Sequence, residues 1–284
     1  MVKFGPSGNS ESFYAEGFKS TLEAAKWVKD KGLDAFEYSF GKGYILSSET
    51  AKTIGEEFKK QEIALSVHAP YFINFANPSE EMYEKTKGYI RTGIKFLRLM
   101  GANRLVFHPA SCGKMKREEA VELTYNRLKE FMAELEEKNL LDGIYLCPET
   151  MGKSMQIGTY KEIIDFCTIN SHLIPTFDFG HINALTQGSL KSSKDYEEII
   201  NYSIEKLGFE RTSIAHVHFS KIEFGPKGEI KHLNFDQNEF GPEFSDFAKV
   251  LVEKKLDMRI ICESAGHQAE DALQMKNIYK SLLN

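Results

Sequence analysis

Paired thiols, long apolar runs and a surplus of positive charge are all missing from this chain of 284 residues. Its four cysteines, Cys112, Cys147, Cys167 and Cys262, include no C-x-x-C pair, so neither a thiolate zinc site nor a disulfide framework is expected. Cys147 and Cys262 fall inside apolar, strand-like runs and read as reduced packing residues. No uninterrupted apolar stretch reaches the roughly 18–20 residues of a membrane-spanning helix. The opening Met1-Val-Lys-Phe-Gly-Pro goes straight into turn residues, without the basic start and apolar run of a secretory signal. A cytoplasmic protein with no membrane partner is the expectation. Lys and Arg number 36 against 41 Asp and Glu, a formal charge of −5, which excludes a simple polybasic binder of nucleic acid or membrane but leaves room for a local basic patch. What remains, 42% hydrophobic and 27% charged residues, is the balance of a globule with a large core, and disorder is excluded.

Eight short apolar runs recur along the chain: Val2–Phe4, Ala35–Tyr38, Ala64–Val67, Arg104–Phe107, Ile144–Cys147, Ile174–Phe177, Ile214–Val217 and Arg259–Cys262. Their spacing of about 30–45 residues fits a strand, a helix and two loops. Between them, Thr21–Lys31, Glu81–Met100, Arg117–Asn139, Tyr160–Ile169, Ser193–Lys206, Glu243–Lys254 and Ala269–Leu283 read as helices on the 3.6-residue period. The runs are nearly continuous rather than alternating, the mark of parallel strands covered on both faces. With no linker or composition shift, residues 1–284 are expected to form one α/β domain, a TIM (β/α)8 barrel. A doubly wound open sheet is the alternative, but no G-x-G-x-x-G follows the first strand.

In such a barrel, residues that carry chemistry project from the C-terminal strand ends. The third run is followed by His68, the fourth by His108, the fifth by Glu149, the sixth by Asp178 and His181, the seventh by His216 and His218, and the eighth by Glu263. Imidazoles mixed with carboxylates are ligands for Zn²⁺, Mn²⁺ or Fe²⁺. More candidates than one ion needs suggest a multinuclear hydrolytic centre. His218 is expected to support a ligand, and His172 and His267 lie away from strand ends.

Taken in order, His-Ala-Pro-Tyr-x-Ile-Asn at 68–74, Phe-His-Pro-x-Ser at 107–111, Pro-Glu-Thr at 148–150, Asp-Phe-Gly-His at 178–181, His-x-x-x-Ser-Lys at 216–221 and Glu-Ser at 263–264 resemble the endonuclease IV family of apurinic/apyrimidinic (AP) endonucleases, within the xylose-isomerase-like TIM barrels. The resemblance implies a zinc-dependent deoxyribonuclease of base excision repair, acting as a monomer on double-stranded DNA. It would hydrolyse the phosphodiester 5′ to an abasic site with a metal-bridged hydroxide. It implies two to three Zn²⁺ ions, with Mn²⁺ or Fe²⁺ possible. His68 and His108 would hold the first, Glu149 would bridge to the second, and Asp178, His216 and Glu263 would complete that one. His181 would serve the third. Glu149 and Glu263 are the carboxylates given the catalytic role.

Two departures from the family pattern are visible. Counting from His216, the family's Asp-x-His pair falls on Glu229 and Lys231, with His232 one residue late. Glu229 and His232 are the expected third-site ligands, with water or Asp236 as substitutes. The loop after the second run, Ser39–Tyr44, is short and lacks the arginine that family members insert into DNA. Tyr71 and Phe72 are the remaining candidates to wedge into the abasic gap. Phosphate contacts are expected among Lys42, Lys114, Lys153 and Lys221, with Lys116, Arg117, Lys227 and Lys231 further along the same loops. Two rival readings stand. One is a single-metal sugar isomerase or epimerase using Glu149, Asp178, His216 and Glu263; the other is a catalytically silent barrel that binds damaged nucleic acid or a partner protein.

Overall fold

Residues 1–283 are described here in a computed structural model of the chain. Eight parallel strands form the centre: β1 (Lys3–Pro6), β2 (Ala35–Ser39), β3 (Ala64–His68), β4 (Arg104–Phe107), β5 (Tyr145–Pro148), β6 (Thr176–Asp178), β7 (His216–Phe219) and β8 (Arg259–Cys262). They pair in the orders β1-β8-β7-β6 and β2-β3-β4-β5. Parallel bridges between Ser7 and Glu37 and between Glu149 and Thr176 join the two halves, so the sheet closes into the TIM barrel expected from the run spacing. At the β1–β2 seam a Cβ on Gly5 would sit 1.7 Å from the Ala35 carbonyl oxygen, so only glycine lets these strands approach.

The surrounding helices are α1 (Thr21–Asp30), α2 (Ser48–Lys60), α3 (Glu80–Leu99), α4 (Arg117–Glu137), α5 (Tyr160–Cys167), α6 (Ser193–Leu207), α7 (Phe244–Glu253) and α8 (Gln268–Ser281). Local chemistry sets their starts. Ser20 with Glu23 and Thr159 with Glu162 form capping boxes at α1 and α5. Helix α2, which the sequence reading passes over, starts at Ser47, whose side chain accepts from the Thr50 N–H, and buries Ala51, Ile54, Gly55 and Phe58. That i, i+3, i+4, i+7 stripe is the face laid on the barrel. Phe58 packs on Phe36 with ring centroids 4.8 Å apart; truncating such a ring to Ala costs about 3–5 kcal/mol.

The apolar core lies between strands and helices, whereas the barrel interior is largely polar. Inside the barrel Val106, Cys147 and Ile174 form a small apolar layer of their own. Around it Glu37, Ser66, Arg104, His216, His218 and Arg259 are all buried. Buried charge is tolerated only when paired. Arg104 donates to the carbonyls of Ile214 (2.8 Å) and Ala215 (3.4 Å), and Arg259 to the Leu65 carbonyl and Asn103 Oδ1, both at 3.1 Å. The four cysteines are buried and unbridged. No helix among the described residues is long and apolar enough to cross a membrane.

Candidate metal centre

Strand pairing continues one residue past several strand ends, which fixes the backbone that carries the site. Ala69 N donates to Val106 O at 2.8 Å, Glu149 N to Phe107 O at 3.0 Å and Glu263 N to Phe219 O at 3.1 Å. Glu149 Oε2 lies 3.1 Å from His68 Nε2 and 3.2 Å from His108 Nε2. The other nitrogen of His68, Nδ1, is 2.8 Å from the Ala69 carbonyl oxygen and donates to it, so Nε2 is the nitrogen presented to Glu149 and the one an ion would take once its proton is displaced.

A second group shares Glu149. Its members are Asp178, His218 and Glu263, and one donor atom from each of the four lies within 4.8 Å of the others. Asp178 caps the short helix Phe179–Leu185: its Oδ1 accepts from His181 N at 2.8 Å, while its buried Oδ2 has no aligned hydrogen bond and lies 3.1 Å from His181 Nδ1. Here the sequence expectation needs correcting. His216 does not join Asp178 and Glu263; its Nε2 lies 3.0 Å from Glu37 Oε2, deeper in the barrel. The seventh strand runs two residues later than the apolar run Ile214–Val217, so His216 opens it. Both histidines face inward, and the pleat puts His218 one layer nearer the mouth. His218 Nδ1 lies 3.1 Å from Glu149 Oε1 and 3.6 Å from Glu263 Oε1.

Glu37 is absent from the sequence reading and is central in the structure. It is fully buried and touches both His216 and His218. A carboxylate in the middle of the apolar run Ala35–Tyr38 was the available signal, since a charge on an inward strand position has to serve something.

The third group is His181, Glu229 and His232. His181 Nε2 lies 3.4 Å from Glu229 Oε2, and its ring centroid is 5.6 Å from that of His232. Glu229 and His232 sit on the second strand of an antiparallel hairpin, Lys221–Gly225 with Gly228–Leu233. Residues three apart on a strand normally face opposite sides. Here Lys231 pairs with Glu223 and Glu229 with Phe224, so Ile230 is an extra, bulged residue and both donors turn the same way. The one-residue offset seen in the sequence is this bulge. Glu229 N donates to Gly152 O at 2.9 Å, and a Cβ on Gly228 (φ +99°) would lie 2.0 Å from that oxygen, so the hairpin docks closely on the loop after β5.

Burial alone would raise Glu149, but the imidazoles of His218 and His108 outweigh it and hold the carboxyl well below the usual carboxylate range. Burial works against a proton on His68, yet Glu149 lifts it to about 9; Asp178 and Glu149 likewise lift His181 to about 10. Burial raises Asp178. A crowd of mutually facing nitrogen and carboxylate donors, with Asp178 Oδ2 lacking an aligned hydrogen bond, fits divalent ions better than it fits an apolar ligand. An ion taking these lone pairs displaces the imidazole protons.

The site opens into a cavity of about 790 Å³ lined by His68, His108, Glu149, His181, Glu229, His232 and Glu263 together with Tyr71, Phe72 and Lys153. Tyr71 and Phe72 are 61% and 53% exposed at its mouth. Lys153 Nζ is 3.9 Å from Glu229 Oε2, and Lys42 and Lys114 are exposed. Lys221 is corrected: it is buried, and its ammonium donates to Phe235 O (3.1 Å) and Asn238 Oδ1 (3.0 Å) and pairs with Glu243 (3.2 Å), so it pins the hairpin and has no donor to spare. Arg117 is likewise taken up by Glu162 and two carbonyls.

Residues 25–281 match the family model for xylose isomerase-like TIM barrels. An uncharacterized protein, MJ0133, of Methanocaldococcus jannaschii is 32% identical over 97% of this chain and 96% of its own. "Probable endonuclease 4" of Aquifex aeolicus is 26% identical over 72% of this chain and 74% of its own. Among solved structures, D-psicose 3-epimerase from Clostridium cellulolyticum superposes with a TM-score of 0.69 at 14% identity, covering 99% of both chains. Endonuclease IV from Thermus thermophilus gives 0.66 at 17%, covering 99% of this chain and 98% of that one. These two likenesses bear on the fold alone and do not choose between the activities their names describe. With its closed barrel and its match along nearly the whole length, the chain belongs to the xylose isomerase-like TIM barrel family.

Proposed function

We propose that the protein is a metal-dependent AP endonuclease that hydrolyses the phosphodiester 5′ to an abasic site in double-stranded DNA. One observation carries the reading: Glu149 turns Oε2 to His68 and His108 and Oε1 to His218. A single carboxylate thus serves two donor groups at once, and a third, His181 with Glu229 and His232, adjoins them. Bound divalent ions, Zn²⁺ first and Mn²⁺ or Fe²⁺ as alternatives, would supply an acidified water and charge neutralisation at phosphorus.

The chain's own residues do the rest. Glu149, ionised and buried, keeps negative charge between the two groups, and Glu263 and Asp178 close the second. Tyr71 and Phe72 offer exposed rings at the cavity mouth to occupy the space of a missing base. Lys153, with Lys42 and Lys114, supplies cations for the flanking phosphates. The relative named endonuclease 4 supports this reading.

A sugar epimerase is the second reading, favoured by the quartet Glu149, Asp178, His218 and Glu263 and by the epimerase fold likeness. A one-ion epimerase gives no use to His68, His108, His181, Glu229 and His232. A duplex carrying one abasic analogue separates the two. Metal-dependent nicking that leaves a 3′ hydroxyl and is stopped by chelator is expected; no nicking, with interconversion of a ketose and its epimer, would reverse the assignment.

A further inference from the structure

Below the candidate centre lies a chain of buried polar groups: Ser66, Glu37, His216 and His218 are all 0% exposed, and Arg104 at the far end is 7% exposed. Their hydrogen-bond roles can be assigned from one end. A guanidinium only donates, and Arg104 Nη1 is 3.5 Å from His216 Nδ1, so that nitrogen accepts and the proton of His216 resides on Nε2. His216 Nε2 faces Glu37 Oε2 at 3.0 Å. The Ser66 hydroxyl donates to the same oxygen at 2.9 Å. Glu37 Oε1 lies 2.8 Å from His218 Nε2. The Ser66 hydroxyl and His218 Nε2 are hydrogen-bonded to the two carboxylate oxygens, which accept from both, whereas His216 Nε2 stands beside Oε2 without an aligned hydrogen bond.

We propose that Glu37 is a positioning residue for the metal centre: by accepting the Nε2 proton of His218 it fixes that ring's tautomer and orientation, leaving the Nδ1 lone pair aimed at Glu149 and Glu263. Nδ1 stands 3.1 Å from Glu149 Oε1 and 3.6 Å from Glu263 Oε1. A carboxylate behind an imidazole also raises its strength as a ligand, and loss of such a partner costs about 10–100-fold in metal affinity. An ion lodged between Glu37, His216 and His218 is the competing arrangement, since their donor atoms lie within 4.8 Å of one another. The proton on His216 Nε2 and the adjacent Arg104 charge both oppose a cation there. The inference rests on the metal centre of the proposed function but not on its substrate.

The test compares zinc-loaded wild-type protein with Glu37→Gln, which keeps the side-chain shape. Competition with a chromophoric chelator measures zinc affinity, and ¹⁵N NMR of the histidine rings locates the protons. The wild type is expected to carry a slowly exchanging proton on His218 Nε2 and zinc on Nδ1. Glu37→Gln is expected to weaken zinc binding about 10–100-fold, and His216→Gln, which leaves Glu37 in place, by much less. Equal affinity in Glu37→Gln, a proton on Nδ1 of His218, or the loss of one whole ion with the others unchanged would each overturn the inference. If Glu37→Gln does not fold, the wild-type ring protons decide alone. Wild-type protein that takes up neither Zn²⁺ nor Mn²⁺ nor Fe²⁺ overturns this inference and the proposed function together; tight zinc binding that depends on Glu37, without nicking of abasic DNA, overturns the nuclease reading only.

Discussion

Two parts of the candidate centre are built differently. His68, Glu149, Asp178 and Glu263 stand on strand ends or on the residue directly after, His218 stands one residue inside its strand, and barrel pairing holds the backbone beneath them. Glu229 and His232 stand on a two-stranded hairpin that docks on Gly152 at the barrel mouth and is tied by Lys221 to the segment that follows it, at Phe235, Asn238 and Glu243. The difference teaches where precision comes from. Sites on closed sheets are rigid by construction, while a hairpin places its donors only as well as its bulge and its anchors allow. An ion in the hairpin group should be the more readily lost.

The largest effect is expected where the strand-borne donors meet. Glu149→Ala or His108→Ala should lower single-turnover cleavage of an abasic duplex by about three orders of magnitude, as expected when several kcal/mol of charge stabilisation are removed. The barrel should stay folded by circular dichroism, and near-normal cleavage in either variant would dismiss the bridging role. His218→Ala should empty the second group as judged by metal analysis, whereas His216→Gln should keep its ions.

The hairpin half is expected to respond less. Deleting Ile230 removes the bulge and turns Glu229 or His232 to the opposite face. One ion should be lost with the other two retained, and cleavage should fall about 10–100-fold. Loss of all ions on that deletion would erase the distinction between the halves.

Acid should separate the halves from free solution chemistry. His68 and His181 are raised to about 9 and about 10, so both carry protons at neutral pH and a binding ion must displace them. Calorimetric zinc titrations in buffers of different ionisation enthalpy should show net proton release at pH 7, and affinity should climb up to about pH 9–10. In the apo-protein the sign is opposite. These raised values give stability that is complete below the ordinary imidazole value near 6.5 and is lost as pH rises through about 9 and 10.

The smallest effects concern DNA. Lys153→Ala should reduce the salt dependence of duplex binding by about one unit of slope. Lys221→Ala should leave that slope alone and cost about 1–3 kcal/mol of stability through its stranded partners. A salt-slope change in Lys221→Ala would place it back among the DNA contacts.

The barrel was legible because parallel strands covered on both faces leave apolar runs at regular spacing, and the runs Arg104–Phe107 and Arg259–Cys262 coincide with strands β4 and β8. Helix α2 was equally legible in its Ala51, Ile54, Gly55 and Phe58 stripe but is overlooked among polar neighbours. Strand β7 begins two residues later than the apolar run, because Ile214 and Ala215 extend that run backwards, while the resemblance assigned the ligand role to His216; the structure instead sets His216 against Glu37 and His218 against Glu149. The bulge at Ile230 and the partners of Glu37 and Lys221 arise from pairing across long stretches of chain, which no local pattern encodes. The ordered set of strand-end donors was readable; their grouping by depth was not.

The most direct measurement is a metal count per folded chain, by elemental analysis after loading with zinc and desalting, followed by graded exposure to chelator. Close to three ions are expected, with one lost first from the His181, Glu229 and His232 group and two retained around Glu149. A single ion per chain, lost in one step, would contradict the account and favour the one-metal epimerase.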